Sequence, residues 1–230
     1  MNIVVENLTK KYGDKAVFDN FNITFPENKV SVIMGKSGAG KTTLLNCLAN
    51  LTDYDGKIYG AEKVAYIFQD ARLAKYMTVY ENLDFTLGGA IGKDERRERI
   101  RNVLSEVSLL DKSGALPDEL SGGQKKRVSV ARAFLSDAPA LLSDEPLNSL
   151  DVGLRIRTVS LLLTMLAGNP KTVVYVTHDA DEALSVADEI VVIGENKIEY
   201  SYSFSSAALQ RDVFGEECSL VKKKLIELLV

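Results

Sequence analysis

Val30-Ser31-Val32-Ile33-Met34-Gly35-Lys36-Ser37-Gly38-Ala39-Gly40-Lys41-Thr42 is the stretch that decides the fold. Its Val- and Ile-rich start reads as a buried strand, which runs straight into a glycine-rich loop, and Lys41 to Asn50 then reads as a helix. Gly35 to Thr42 fits the pattern G-x-x-x-x-G-K-[ST], set between a strand and a helix as a phosphate-binding loop requires. Glycines let successive backbone N–H groups wrap phosphate oxygens, and the helix N-terminus adds a favourable partial charge. In this reading Gly35, Lys36, Ser37, Gly38, Ala39 and Gly40 form the cradle. Lys41 reaches the β- and γ-phosphates of a nucleotide, Thr42 ligates Mg²⁺ and Thr43 adjoins it. The bland alternative is a glycine-rich turn, and the strand-to-helix placement argues against it.

Outward from that loop the chain divides by periodicity. Ile3 to Val5 and Val17 to Phe25 read as strands, punctuated by Gly13-Asp14 and Pro26-Glu27-Asn28. Lys57 to Tyr59 and Val64 to Phe68 read as two more. The middle turns helical, from Thr78 to Leu87 and from Lys93 to Leu110, with Ile100, Val103, Leu104 and Val107 at helical spacing and Glu95 placed to pair with Arg99. A third helix begins near Ser121 and carries Val128, Ala131 and Leu135 on one face. Strands and helices then alternate: strand 140–144, helix 152–167, strand 172–177, helix 180–187, strand 189–193. Alternation of this kind predicts a mostly parallel sheet covered by helices. Glu216 to Val230 reads as a closing helix.

Two further motifs bear on chemistry. Leu141-Leu142-Ser143-Asp144-Glu145 is a short apolar strand ending in two carboxylates. A buried strand holds such groups rigidly at its C-terminal edge, where ligands bind in open α/β sheets. Asp144 would hold a metal or its water, and Glu145 would polarise an attacking water; a solvated acidic strand end is the plain alternative. Leu120-Ser121-Gly122-Gly123-Gln124 falls at a helix start, where Ser121 and the Gly122 and Gly123 amides offer a second phosphate site. An ordinary Ser/Gly helix cap would look the same. Why one nucleotide should need two phosphate sites is not answered by these residues.

Composition narrows the classes. The net charge of −4 gives no global basic field for nucleic acid or anionic lipid. Cys47 and Cys218, the only cysteines, belong to no CxxC pair, so neither a disulfide framework nor a cysteine metal site is expected, and a reducing compartment fits. The first residues lack the basic and apolar blocks of a signal peptide. No run approaches the roughly 20 apolar residues of a membrane span, so any membrane role is expected to come through a partner. With 230 residues the chain is long enough for a sizeable core in one or two domains.

Taken together, the phosphate loop, LSGGQ and the Asp-Glu strand resemble the ATP-binding cassette (ABC) ATPases, and the resemblance spans almost the whole chain. It implies a RecA-like α/β P-loop core with an N-terminal antiparallel β region and an inserted helical subdomain near 72–124, all within one ABC ATPase domain over 1–230. It also answers the two-site puzzle, because in that family the signature of one subunit closes over nucleotide held by the other. By the same resemblance Ser121, Gly122, Gly123 and Gln124 contact the partner's ATP. Tyr12, in Lys10-Lys11-Tyr12-Gly13, matches the aromatic that stacks on adenine. Gln69, in Phe68-Gln69-Asp70, matches the Q-loop glutamine that approaches the metal. Asp151, in Asn148-Ser149-Leu150-Asp151, matches the D-loop, and His178, the only histidine, matches the switch residue that contacts the γ-phosphate. The implied catalytic set is Glu145, His178, Gln69 and Lys41, and the implied metal set is Thr42, Gln69 and Asp144, with ATP and Mg²⁺ bound.

Phe68-Gln69-Asp70-Ala71-Arg72-Leu73, Thr78-Val79-Tyr80-Glu81-Asn82 and Val176-Thr177-His178-Asp179-Ala180-Asp181-Glu182-Ala183-Leu184 look most like bacterial importer ATPases of the nitrate, sulfonate and taurine type. Three departures stand out. Lys75-Tyr76 occupies a place where those proteins tend to have Pro-Trp, Ser143 replaces an apolar residue, and Asn148 is unusual. None is expected to touch the reacting groups. The resemblance implies a homodimer formed on ATP binding, membrane permease subunits as partners, a solute-binding protein in the same system, and residence on the cytoplasmic face of the membrane. The rivals are an exporter or lipoprotein-extraction ATPase, a non-transport ABC protein, and a nucleotide-binding module without hydrolysis. Intact Lys41, Asp144, Glu145 and His178 argue against the last.

Overall fold

The computed structural model describes residues 1–87, 91–148 and 150–229. In chain order the elements are β1 (Ile3–Tyr12), β2 (Lys15–Phe25), β3 (Val30–Met34), α1 (Lys41–Leu48), β4 (Asp55–Tyr59), β5 (Val64–Ile67), α2 (Val79–Asp84) continued by a 3₁₀ turn (Phe85–Leu87), α3 (Lys93–Glu106), α4 (Gly122–Leu135), β6 (Ala140–Asp144), α5 (Val152–Gly168), β7 (Thr172–Val176), α6 (Ala180–Val186), β8 (Glu189–Ile193), β9 (Ile198–Ser203) and α7 (Glu216–Leu229).

The strands form two sheets, a three-stranded one in the order β2-β1-β4 and a six-stranded one in the order β5-β6-β7-β3-β8-β9. The first is antiparallel; in the second only β9 runs against its neighbour β8. Register decides where chemistry can occur. Ile67 pairs with Ser143 and Ser143 with Tyr175, while Asp144 and Ile33 both pair with Val176. The C-terminal ends of β5, β6, β7 and β3 therefore share one edge of the sheet, the edge at which parallel α/β sheets bind ligands.

Every residue of β3, β6 and β7 is buried, as expected of parallel strands covered on both faces. Val30, Val32 and Met34 point into a core shared with Leu141, Val173, Tyr175 and the inner face of α6. Ile33, Leu142, Val174 and Val176 point the other way, against Leu44, Leu45 and Leu48 of α1 and the underside of the antiparallel sheet, where Phe18, Phe21 and Phe25 lie. A third cluster joins Val79, Leu83, Ile100, Val103 and Leu104 to Val128, Ala131 and Leu135 of α4. The opposite face of α4 places Val130 and Ala133 in the first core, so this helix belongs to both. Each buried Val or Leu here contributes about 1.5–3 kcal/mol of apolar burial relative to exposure, which fixes α4 against the sheet.

Several boundaries differ from the sequence reading, the first strand most of all, since it runs on from Val5 to Tyr12. The second middle helix stops at Glu106 instead of Leu110, because Ser108 adopts a left-handed φ of 54°. Val107 and Leu109, on either side of Ser108, still bury into the third cluster, which is why the apolar spacing outran the helix. The first helix likewise ends at Leu48. β9 was not foreseen: its Ile-Glu-Tyr-Ser-Tyr-Ser alternation has period two, but four of its six residues are exposed at the sheet edge and its apolar content is low.

Candidate nucleotide-binding and hydrolytic site

β3 delivers Gly35 to the shared edge, and the loop then folds so tightly that its glycines are obligatory. Gly35 has φ 153°, and a Cβ there would lie 2.2 Å from the Ile193 carbonyl oxygen. Gly40 has φ 93°, and its Cβ would meet Val17 Cγ1 at 2.6 Å and Phe18 Cζ at 2.8 Å. Lys41 Nζ donates to the carbonyls of Gly35, 2.7 Å away, and Lys36, 3.0 Å away. Burial lowers the Lys41 pKa, while the carboxylates of Glu145 and Asp144 oppose that shift. α1 starts at Gly40 with no side-chain cap, so no capping side chain takes up its first amides. The loop, with Tyr12, Lys15, Val17 and Glu145, lines an open cleft of 420 Å³. Tyr12 reaches it because the β1–β2 hairpin turns there, Tyr12 pairing with Lys15; its half-exposed ring also receives Lys10 Nζ at 4.8 Å from its centroid.

Asp144 is buried at the end of β6. Desolvation raises its pKa, opposed first by a hydrogen bond from Thr42 and then by the charges of Lys126 and Lys41. Thr42 and Asp144 thus meet from two elements as a hydroxyl and a carboxylate. Among the described residues no group of three or more His, Cys, Asp or Glu is placed to hold a metal ion by itself. An oxygen pair of this kind, completed by phosphate oxygens and water, suits Mg²⁺ and would not suit a softer metal. Glu145 follows with φ 44°, its backbone N–H held by Val176 O at 2.9 Å, which turns the chain sharply off the strand. His178, at the end of β7, places Nδ1 3.3 Å from Glu145 Oε1. Asn148 Nδ2 donates to Glu145 Oε2 at 3.1 Å. That last contact corrects an expectation, since Asn148 was to stand clear of the reacting groups. It reaches Glu145 because the tight turn after β6 also closes with Asn148 N–H on Glu145 O at 3.3 Å.

Gln69 is exposed just beyond β5, the strand next to β6. Ser121 caps α4: its Oγ accepts from Gln124 N at 3.2 Å, and its own N–H donates to Gln124 Oε1 at 2.8 Å. Asp151 caps α5 through Leu154 N at 2.9 Å. Ser121, Gly122, Gly123, Gln124 and Asp151 are not among the residues lining the cleft. Ser149, within the D-loop match, lies outside the described residues. So the phosphate loop, Tyr12, Asp144, Glu145 and His178 come together within one chain, while the LSGGQ turn and Asp151 stand apart. Sequence reasoning missed Lys126, whose Nζ donates to Phe68 O and Gln69 O, each at 2.8 Å. A lysine one helical turn before Val130, on the face of α4 that packs against the sheet, was the available signal. It also missed Arg155, which pairs with Asp179 beside His178.

The family profile described as "ABC transporter" matches residues 18–148, from β2 through the carboxylate pair. The chain belongs to the ABC transporter family. It is an ATP-binding and ATP-hydrolysing cassette. Its similar relatives include the aliphatic sulfonates import ATP-binding protein SsuB 2 of Rhodococcus jostii, 38% identical over 85% of this chain and 80% of that one. The spermidine/putrescine import ATP-binding protein PotA of Pseudomonas aeruginosa is 35% identical over 94% of this chain and 65% of that longer protein. The fold matches the dimeric structure of MJ0796, a bacterial ABC transporter cassette, with a TM-score of 0.80 at 29% identity, over 89% of this chain and 99% of that one. A structure of the same cassette in a post-hydrolysis state, bound to ADP and Pi, matches equally well.

Proposed function

We propose that this ABC cassette is the ATP-hydrolysing subunit of a bacterial importer, working as an ATP-dependent head-to-tail homodimer on a separate membrane permease. The observation that carries the reading is the split site. One chain holds a cleft lined by Lys41, Thr42 and Glu145, and a second, capped helix start at Ser121 that does not line it. Two copies facing each other would complete two sites. The import names of the sulfonate and polyamine relatives support the direction of transport. A solute-binding protein would supply the substrate.

In the cleft the phosphates take the loop amides, and Lys41 leaves the Gly35 and Lys36 carbonyls for the β- and γ-phosphate oxygens. Tyr12 stacks on the adenine. Thr42, Asp144 and Gln69 would hold Mg²⁺, which when bound neutralises phosphate charge. Glu145 orients and polarises the attacking water, and His178, already beside its carboxylate, contacts the γ-phosphate side. The test is Glu145→Gln. It keeps ATP affinity and lowers kcat by roughly 10²–10⁴-fold, the range for losing a general base; near-normal turnover would overturn the assignment.

No helix among the described residues is long and apolar enough to cross a membrane. We place the chain on the cytoplasmic face, held by the permease against the helical subdomain 72–124. The docking segment is Arg72 to Leu87, where Tyr76 is 97% and Phe85 79% exposed. Lys75→Glu combined with Tyr76→Ala preserves basal ATPase and reduces pull-down of the permease. A double variant that binds like the parent moves docking elsewhere.

A further inference from the structure

The helix that Ser121 caps also grips the chain that carries Gln69. Lys126 is only 5% exposed, and its ammonium donates to two neutral carbonyls, those of Phe68 and Gln69, each at 2.8 Å. Arg132, further along α4, donates from Nη1 to Arg72 O at 2.9 Å and from Nη2 to Ala71 O at 3.2 Å. Between them the two cations hold the backbone at positions 68, 69, 71 and 72. The segment is bent around that grip: Arg72 takes a φ of 43°, and its guanidinium carbon sits 4.0 Å from the centre of the Phe68 ring.

Stability gives no reason for a lysine at this place. Withdrawing an ammonium from water is costly, and a packed apolar side chain in its stead is often neutral or better. Burial pushes the Lys126 ammonium down to about 8, against the attraction of Asp144, Asp70, Glu145 and Glu182. What an apolar residue could not supply is two directed hydrogen bonds from α4 to the strand end beside Asp144.

We propose that Lys126, assisted by Arg132, is a positioning clasp that makes Gln69 and the Ser121–Gln124 turn one mechanical unit. The inference rests on the site reading above, with Gln69 serving the cleft of its own chain and Ser121 the nucleotide of a partner. Because the clasp ends at Arg72, where the docking segment begins, a push on that segment reaches both places together. Without Lys126 the segment from Phe68 to Arg72 can shift while α4 stays seated in its two cores. Lys126 touches no reacting group, and its role is to hold Gln69 in register.

The experiment uses the full chain with Mg²⁺-ATP and three variants. Lys126→Met leaves the ATP dissociation constant within about threefold and lowers kcat at least about tenfold, since small misplacements of a positioned group cost that much or more. Amide hydrogen exchange rises across 68–72 and is unchanged in β3, β6 and β7. Lys126→Arg, which restores a cation, returns kcat to within about threefold of the parent. Parent-like kcat and exchange in Lys126→Met, or exchange raised evenly through the whole sheet, overturns the clasp. If Lys126→Met does not fold, Arg132→Met is read in the same way at 71–72, and no change there overturns it. Glu145→Gln run in parallel separates the two failures. Should Glu145→Gln abolish turnover while the clasp variants behave as the parent, only the clasp falls; should Glu145→Gln also keep turnover, the site reading itself falls.

Discussion

At Gly40 the chain enters α1 with no side-chain cap, whereas at Ser121 it enters α4 through a completed capping box. Both are glycine-flanked helix starts suited to phosphate. The first is walled: Gly35 is buried, Val17 and Phe18 press on Gly40, and Lys41 is drawn under the loop. Its amides are left for an external anion. The second is open: Ser121 and Gly122 are exposed, and the amides of Ser121 and Gln124 are already satisfied by side chains of the same turn. Ser121 Oγ spends a lone pair on Gln124, yet its own hydroxyl hydrogen remains to donate. A walled start can bind a nucleotide within one chain. On the proposed reading, an open start with a hydroxyl hydrogen to donate and the Gly122 and Gly123 amides finishes a site whose other walls come from elsewhere.

Damage to each helix start separately has the largest expected effect. Lys41→Ala removes charge-assisted contacts and weakens ATP binding by roughly 10–100-fold, from about 1.5–3 kcal/mol for hydrogen bonds to a charged group. Ser121→Arg leaves the ATP affinity of the monomer within about twofold, since the residue does not line the cleft. In a Glu145→Gln background with ATP, Ser121→Arg also abolishes the dimer seen by size-exclusion chromatography. Equal losses of monomer affinity in the two variants would mean that both starts serve one chain's own nucleotide. Mixing Lys41→Ala with Ser121→Arg chains regenerates one intact composite site, so measurable ATPase from the mixture sharpens the head-to-tail version.

How much of this was legible follows the range of the interactions involved. The phosphate loop and the LSGGQ turn are local patterns, and their strand, loop and helix contexts are where the sequence places them. The alternation from Ala140 to Ile193 foretold a mostly parallel sheet, but not that β3 lies between β7 and β8. That strand order brings the end of β6 beside the end of β7, and so Glu145 within 3.3 Å of His178. Contacts between distant segments left weaker traces. Lys126 on Phe68 and Gln69 looks in sequence like one more lysine in a charged helix, because burial of its head depends on β5 passing beneath. Asn148 on Glu145 arises from turn geometry, with Glu145 at positive φ, that side-chain types alone do not specify. β9 was hidden by its position, since an edge strand needs apolar residues on one face only.

A smaller effect, on stability alone, separates the two starts by sterics. Gly40→Ala forces a Cβ onto Val17 and Phe18 at a backbone angle that L side chains rarely adopt. Strain and overpacking together cost about 1–3 kcal/mol. Urea unfolding of the nucleotide-free chain should show the midpoint falling with an unchanged slope. A parent-like midpoint would mean that the first loop is looser than its walls imply, and the contrast with the second would lose its basis.

The smallest effect carries the opposite sign. Gly122 opens α4, is exposed, keeps an ordinary negative φ, and a Cβ there would find no heavy atom within 4 Å. Alanine fits the helix without strain and narrows the unfolded ensemble, so Gly122→Ala should stabilise the isolated chain by roughly 0.5 kcal/mol. Within the single chain that glycine is therefore a small liability. Its lack of a side chain matters only if another molecule's phosphate must approach the Gly122 amide closely. The same substitution should then reduce ATP-driven dimerisation and turnover while the urea midpoint rises slightly. A variant both more stable and fully active would show that the open start needs no bare backbone, and Ser121 would be left as an ordinary helix cap. A stabler chain that dimerises poorly would mark Gly122 as kept for a partner's nucleotide.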